Sequence, residues 1–490
     1  MHQYVKRPLA AVAALILALL AGCKVGPDYV RPEVDTPAAF RYDVSNADDL
    51  VNTAWWEQFD DPVLNQLITT ALAQNKDVRI AAARVEEAAG VLGVTRSQLF
   101  PQVGVGADFA RQQVSRYSGT TTLQEDVRRT FNNYQVLLSA SWEIDFFGKL
   151  QRQTEAARAS LLASEDGRRA TLLSLVAAVA NEYITLRDLD KQLEISRRTA
   201  DSRSESVRLF ELRFKGGVVA ELELEQVRSE YEQALAAIPD LERQIVQQEN
   251  LISVLLGSNP GPIPRGRTLD ELVLPTVPAA LPSELLEQRP DLLQAEQNLA
   301  AANADIGAAK ALYFPTISLT GQAGTLSTQW SKLFTGDTRV WNFGPTVSVP
   351  IFTAGAIRGQ VAQAEARQQQ ALYQYQQAIQ TAFRETEDAL VGQLKLREQL
   401  TVQARRVKAL KGYARLARLR YDNGYTSFLE VLDAERSLFL AELDYARNQG
   451  DLFQALVNIY KAMGGGWVMQ VNALAPGPNI DVQANPPIIP

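Results

Sequence analysis

The stretch RYDNGYTSFLEVLD, Arg420–Asp433, lies between two long helical patterns, one entering from Gly355 and one leaving through Met463. Gly424 supplies the turn, because glycine takes positive φ without steric cost. RFKGGVVAELELEQ, Arg213–Gln226, is its counterpart. Arg213 and Arg420, Gly217 and Gly424, Leu222 and Leu429, and Glu223 and Glu430 all align at one offset (420 − 213 = 207). The chain therefore carries two copies of a long helical hairpin with a glycine at each tip. The remaining segments are attached to these two hairpins.

Between Lys149 and Lys215 there is no proline and one glycine, Gly167. At ~1.5 Å per residue this is on the order of 100 Å of helix. Ala156, Ala159, Leu162 and Ala163 recur at coiled-coil-like spacing. An ordinary globular core does not need such length, whereas a tube crossing a periplasm does. The returning arm, Val218 to Leu256, contains Pro239, which predicts a bend or break near Ile238. The second copy has Ala446 at the equivalent place.

Ahead of each helical hairpin the apolar period changes from 3.6 to 2. Val103, Val105, Ala107 and Phe109 alternate with Gln102, Gly104, Gly106 and Asp108. After a polar stretch around Gly119, Tyr134, Val136, Leu138, Ala140 and Trp142 alternate with Gln135, Ser139, Ser141 and Glu143. The pattern returns at Ile317, Leu319 and Ala323, then at Trp341, Phe343, Val347 and Val349, with Pro345 and Pro350 predicting bulges or a sheet edge. Strands of about ten residues cross a bilayer when tilted, and the terminal aromatics suit interfacial girdles. Four strands cannot close a barrel, and an open edge in lipid leaves backbone groups unpaired. Several chains must share one barrel: two copies give eight strands, three give twelve and four give sixteen.

Each strand pair follows a helix. Asp61 is a predicted N-cap with Pro62 at the first helical position, and the helix is expected to run to about Leu99, ending at Phe100-Pro101. A second helix is expected over Glu284–Leu312, ending at Phe314-Pro315. The organisation reads as a signal peptide (1–22), a lipidated, extended, non-helical segment (23–60) and a first repeat (61–257, with β-hairpin 101–145 and helical hairpin 149–256). A Pro-rich linker (258–282) leads to a second repeat (283–464, with β-hairpin 315–352 and helical hairpin 355–463) and a poorly ordered tail (465–490).

Absences narrow the function. Among 490 residues the only histidine is His2 and the only cysteine is Cys23, which removes His-based triads, His metal sites, zinc fingers and internal disulfides. A net charge of −7 gives no nucleic-acid signal. Acids on helices this long read as surface charges, so no cofactor and no catalytic constellation is predicted. Lys6 and Arg7 precede an apolar run from Leu9 to Leu20, which ends in Ala21-Gly22-Cys23. Small residues before a cysteine are the form of a lipoprotein signal, making Cys23 the acylated, palmitate-bearing N-terminus. Lys24 rather than Asp favours the outer membrane.

CKVGPDYVRPE (Cys23–Glu33) resembles the mature N-terminus of TolC-type outer-membrane efflux factors of the lipoprotein, NodT-type branch. Ala54-Trp55-Trp56 followed by Phe59-Asp60-Asp61-Pro62 is similar to the family's next signature. The resemblance spans Cys23 to about Gly464. It implies mixed α and membrane-β architecture: a homotrimer with a twelve-stranded outer-membrane β-barrel, four strands per chain, continuous with a periplasmic α-helical barrel of repeated hairpins. It also implies the exit duct of a tripartite efflux system with a periplasmic adaptor docked at the tips around Gly217 and Gly424. The third partner is an inner-membrane transporter of the resistance–nodulation–division (RND) class. The family's aperture maps onto Tyr421, Leu429 and Asp433, with Glu430 beside them. Leu429 would form an apolar constriction, Asp433 a carboxylate ring, and Tyr421 a hydrogen bond across neighbouring hairpins. Some relatives carry a basic latch just after the tip glycine. Tyr425 and Thr426 stand there in this chain, so any latch must come from elsewhere, with Arg420 and Lys215 the candidates. Three methionines argue against a dedicated copper or silver path. A type I protein-secretion duct and a non-conducting coiled-coil lipoprotein are the alternatives. The lipoprotein signature speaks against the first and the four strands against the second.

Overall fold

The computed structural model describes residues 24–34, 36–37, 40–41, 54–115, 129–275, 286–464 and 467–480. The signal stretch, Cys23, the loop at Gly119 and the last ten residues lie outside the described residues.

The two hairpins are equal in length. Helix α3 spans Lys149–Lys215 and α4 spans Glu221–Leu255; α6 spans Ala356–Asp422 and α7 spans Phe428–Ala462. Every one of these boundaries repeats at the offset of 207. So do three left-handed glycine positions: Gly148 with Gly355, Gly217 with Gly424, and Gly257 with Gly464. Pro239 does not break α4, which is helical on both sides of it. The proline costs one backbone bond on a half-exposed face where water reaches the freed carbonyl, and packing against α3 holds the rest.

The lead-in helices differ from expectation. The predicted helix from Asp61 to Leu99 is two, α1 (Pro62–Gln74) and α2 (Lys76–Ser97), divided at Asn75. Asn75 is extended, and its side chain accepts from Asp77 N and Val78 N while donating to Leu255 O at 2.8 Å. The break is therefore a cap made for a distant helix end. Of the second expected helix, residues 284 and 285 lie outside the described residues; residues 286–288 are helical, Arg289 is extended before a proline, and α5 then runs over Pro290–Ala311. Segment 23–60, expected to be non-helical, contains among its described residues a 3₁₀ turn at Trp55–Phe59. The tail contains a helix, α8 (Trp467–Leu474), because Trp467 packs edge-on to Trp55 and Trp56. These aromatics, with Phe59 and Tyr460, centre an equatorial core joining α1, α3, α4, α7 and α8. Residues 258–275 of the linker cross this core as packed chain, with Ile263, Leu269 and Leu272 buried in it. Buried Asp61 accepts from Tyr183 Oη at 2.8 Å and from Arg267 N at 3.0 Å, and Arg265 pairs with Asp190.

The strands are β1 (Gln102–Gln113), β2 (Thr130–Ile144), β3 (Thr316–Ser327) and β4 (Arg339–Ser348). They form one antiparallel sheet in the order β1-β2-β3-β4. The register puts Val105 opposite Leu138, Leu138 opposite Ala323, and Ala323 opposite Trp341, so one face is apolar across all four strands. The other carries Asp108, Gln135, Ser139, Gln322 and Asn342. Val105 is 74% exposed and Phe343 75%, a degree of apolar exposure that fits a lipid-facing surface and not a water-facing one. Among the described residues no helix is long and apolar enough to cross a membrane. At the outer ends of the strands Phe109 stacks on Tyr134, which meets Trp330 edge-on; at the helical ends Phe147 stacks on Phe314. Pro345 makes no bulge, since its register with Leu319 is unbroken, but β4 is a sheet edge, as is β1.

Candidate functional site

Each tip is closed by the same backbone device. Gly217 (φ 68°) lets Val218 N donate to Arg213 O at 2.9 Å, and Gly424 (φ 73°) lets Tyr425 N donate to Arg420 O at 2.9 Å. A side chain on either glycine would meet no neighbour, so positive φ alone calls for glycine there.

Above the loops the two hairpins share an aromatic core. Phe210 of α3 lies 4.3 Å from Phe428 of α7, and Tyr421 of α6 meets Phe428 edge-on at 4.9 Å. Arg213 of α3 spans the gap: its guanidinium donates to Tyr421 Oη and lies 5.5 Å from the Tyr421 ring centroid. This hydrogen bond runs from the first hairpin to the second. Arg420, at the repeat-equivalent position, has another partner. It pairs with Glu430 at 2.7 Å, and Glu430 also accepts from Thr426 Oγ1, so Arg420 closes its own hairpin.

Leu429 and Asp433 stand apart from this core. They lie one turn apart on one face of α7; Leu429 is 59% exposed, and Asp433 is half-exposed with Arg436 of its own helix at 2.9 Å. The structure thus joins Tyr421 to the inter-hairpin contact and Glu430 to the loop, and leaves Leu429 and Asp433 facing outward from the single chain.

Sequence reasoning missed a second ionic layer above the aromatic core. Arg203 of α3 is buried, 3.1 Å from Glu230 of α4 and 5.3 Å from the Phe439 ring centroid of α7. Burial lowers the Arg203 pKa and raises that of Glu435 on α7, with Arg418 and Arg203 opposing the rise at Glu435. The repeat contained a signal. Glu211 pairs with Arg228 at 2.9 Å in the first hairpin, and the equivalent positions in the second are Arg418 and Glu435, with the signs exchanged.

At the opposite end of the hairpins an N-terminal strap is fixed. Val25 N donates to Phe147 O at 3.2 Å, and Lys24 pairs with Glu155 at 2.6 Å. Arg152, its side chain 1% exposed, donates to Val25 O, Gly26 O and Asp28. Residue 24 is therefore held where β2 turns into α3, beside the rim of the sheet. Among the described residues no group of three or more His, Cys, Asp or Glu is placed to hold a metal.

A family model described as outer membrane efflux protein matches residues 67–258 and 281–465. The cation efflux system protein CusC of Escherichia coli O6:H1 is 37% identical over 472 residues, covering 94% of this chain and 99% of CusC. The probable outer membrane lipoprotein SilC of Salmonella typhimurium is 37% identical over 461 residues, covering 92% and 97%. Among solved structures, the outer-membrane channel OprN superposes with a TM-score of 0.83 at 33% identity, covering 91% of this chain and 100% of OprN.

Proposed function

We propose, from the premise that this chain belongs to the outer membrane efflux protein family, that Tyr421, Leu429, Glu430 and Asp433 form the gate of its channel. The protein is the outer-membrane exit duct of a tripartite efflux system, working with a periplasmic adaptor and an inner-membrane RND transporter. Three chains each give four strands to one twelve-stranded barrel, so the free edges β4 and β1 of neighbouring chains pair and no backbone edge meets lipid. The long hairpins continue the barrel as a periplasmic tube. The repeats divide the chain at 61–257 and 283–464.

The gate reading is carried by one observation: the bond from hairpin to hairpin at the tip is the Arg213–Tyr421 contact. It holds the second tip against the first, while Leu429 and Asp433, the latter beside Arg436 of its own helix, stand outside this contact and can face the axis. Three Leu429 side chains narrow the bore and disfavour water, and three Asp433 carboxylates favour cations. The bare side chains of Val218, Leu222 and Tyr425 around Gly217 and Gly424 give the adaptor its contact. Adaptor binding opens the tips by preferring the released arrangement. This chain is a passive conduit and performs no catalysis. Cys23 carries the acyl anchor, and its neighbour Lys24 is held beside the periplasmic rim of the sheet. CusC is named for cations; soft-metal paths favour Met and His ligands, and this sequence has three Met and one His. We therefore assign drugs and other small toxic compounds as cargo.

Conductance of the purified trimer in a planar bilayer tests the gate. Wild-type currents should be small and should rise in a Leu429→Ala/Asp433→Ala variant. Large wild-type currents that the variant leaves unchanged would place the constriction elsewhere.

A further inference from the structure

The lipid-facing side of the sheet does not end at its outer aromatics. On β1, Arg111 follows Phe109 by two residues and so shares its face; on β4, Arg339 precedes Trp341 by two residues and shares that face. Both arginines are exposed, and neither guanidinium is in an ion pair with a described residue. Asp108 is on the opposite face, bonded to Gln135, and Asp337, two residues before Arg339, does not pair with it. Lys332, exposed beside Trp330, adds a third cation at this end. Arginine on the lipid face of a barrel strand is unfavourable unless it lies at headgroup depth, and two residues above an aromatic girdle is that depth.

Arg111 and Arg339 also stand on the two free edges of the sheet. When three chains close the barrel, β4 of one protomer lies beside β1 of the next. Each seam then carries Arg339 of one chain and Arg111 of its neighbour on the same face, each two residues beyond an aromatic of that face, Trp341 and Phe109 respectively. Two guanidinium forks at headgroup depth, without an ion-pair partner among the described residues, match phosphate oxygens, which they hold bidentately.

We propose that each protomer seam is a binding site for the phosphate of a phosphorylated glycolipid in the outer leaflet, held between Arg339 of one chain and Arg111 of the next. The site rests on the trimeric closure described above. It makes the lipid part of the seam: one headgroup bridges two chains at the place where the barrel has no covalent continuity.

Native mass spectrometry of delipidated trimers, titrated with bis-phosphorylated lipid A, tests this. Up to three molecules should bind per trimer. The R111Q/R339Q variant and the use of dephosphorylated lipid A should each weaken binding at least about tenfold. The R111K/R339K variant, which keeps the charge, should bind more tightly than R111Q/R339Q. Inorganic phosphate at equal concentration should not compete. Equal binding by R111Q/R339Q at wild-type trimer mass and melting temperature would overturn the site. So would equal binding of the dephosphorylated lipid, which would assign the contact to acyl chains, and displacement by inorganic phosphate, which would make it a free-anion site. The same spectrum reports assembly mass, so a monomer would refute the closure itself rather than the phosphate contact alone.

Discussion

Tyr421→Phe isolates the inter-hairpin bond. The substitution keeps the ring, and with it the contacts to Phe210 and Phe428 and the Arg213 guanidinium over its face. It removes only the hydroxyl that accepts from Arg213. A hydrogen bond with a charged partner contributes about 1.5–3 kcal/mol, and partial exposure of both residues puts this one near 1.5. That is about tenfold in the open-to-closed ratio for one protomer, and roughly a thousandfold if three tips open together. Open probability in planar bilayers should rise within that range, with thermal unfolding unchanged. Phe214, the repeat-equivalent position in the first hairpin, already lacks the hydroxyl, so Phe214→Leu should change gating far less. Combining Arg213→Gln with Tyr421→Phe should add little beyond either alone. An open probability within about twofold of wild type for Tyr421→Phe, with helical content intact, would refute this account of the closed state.

Two further outcomes follow from buried charges. Arg152→Met should release the strap at a cost of about 2–3 kcal/mol, because Val25 O and Gly26 O lose their donor; trypsin should then cleave after Lys24 at least tenfold faster, on the order expected for that energy. An unchanged cleavage rate would mean that the strap is held by its other contacts. Asp188 on α3 lies against Gly450 of α7, and burial pushes its carboxyl up to about 6, with Gln192 opposing the rise and Asp451 adding to it. The folded state therefore binds this proton more tightly than the unfolded chain, so stability falls as pH rises from 3.8 to about 6 and is constant above. Asp188→Asn should stabilise the protein by up to about 3 kcal/mol above pH 6 and by little below pH 4, measured as denaturant midpoints across pH. A gain independent of pH would contradict the assignment.

Local rules made much of this architecture readable. Glycines at 217 and 424 marked the tips because positive φ excludes most other residues, and the alternation through Val103–Phe109 marked membrane strands because one face must be apolar. The division at Asn75 was not readable, since its side chain is satisfied by Leu255 O, 180 residues away. The interruption at Arg289 had a legible signal, since the residue before a proline is pushed out of the helical region. At the tip, Leu429 and Asp433 could be placed on one helical face from their spacing. That Arg213 rather than Arg420 reaches across to the second hairpin could not be read, because identical residues at equivalent positions meet different neighbours: Tyr421 for one, Glu430 for the other. The fold of the short helix Trp467–Leu474 depends on tryptophans some 400 residues earlier.

The two helical hairpins match residue for residue, whereas the two strand hairpins do not. The offset is 214 from α2 to α5 and from β1 to β3, and 207 from α3 to α6, so the second strand hairpin, outer loop included, is seven residues shorter. An insertion in an outer loop only lengthens a projection into solvent. An insertion in one arm of a helical hairpin would rotate all residues beyond it by about 100° and raise one tip about 1.5 Å above its neighbours at every repeat around the ring. The wall of the tube therefore has a dimensional tolerance of less than one residue. Its sequence can drift by substitution, as the exchanged charges of Glu211–Arg228 and Arg418–Glu435 show. Its length cannot drift in one hairpin unless the other changes with it.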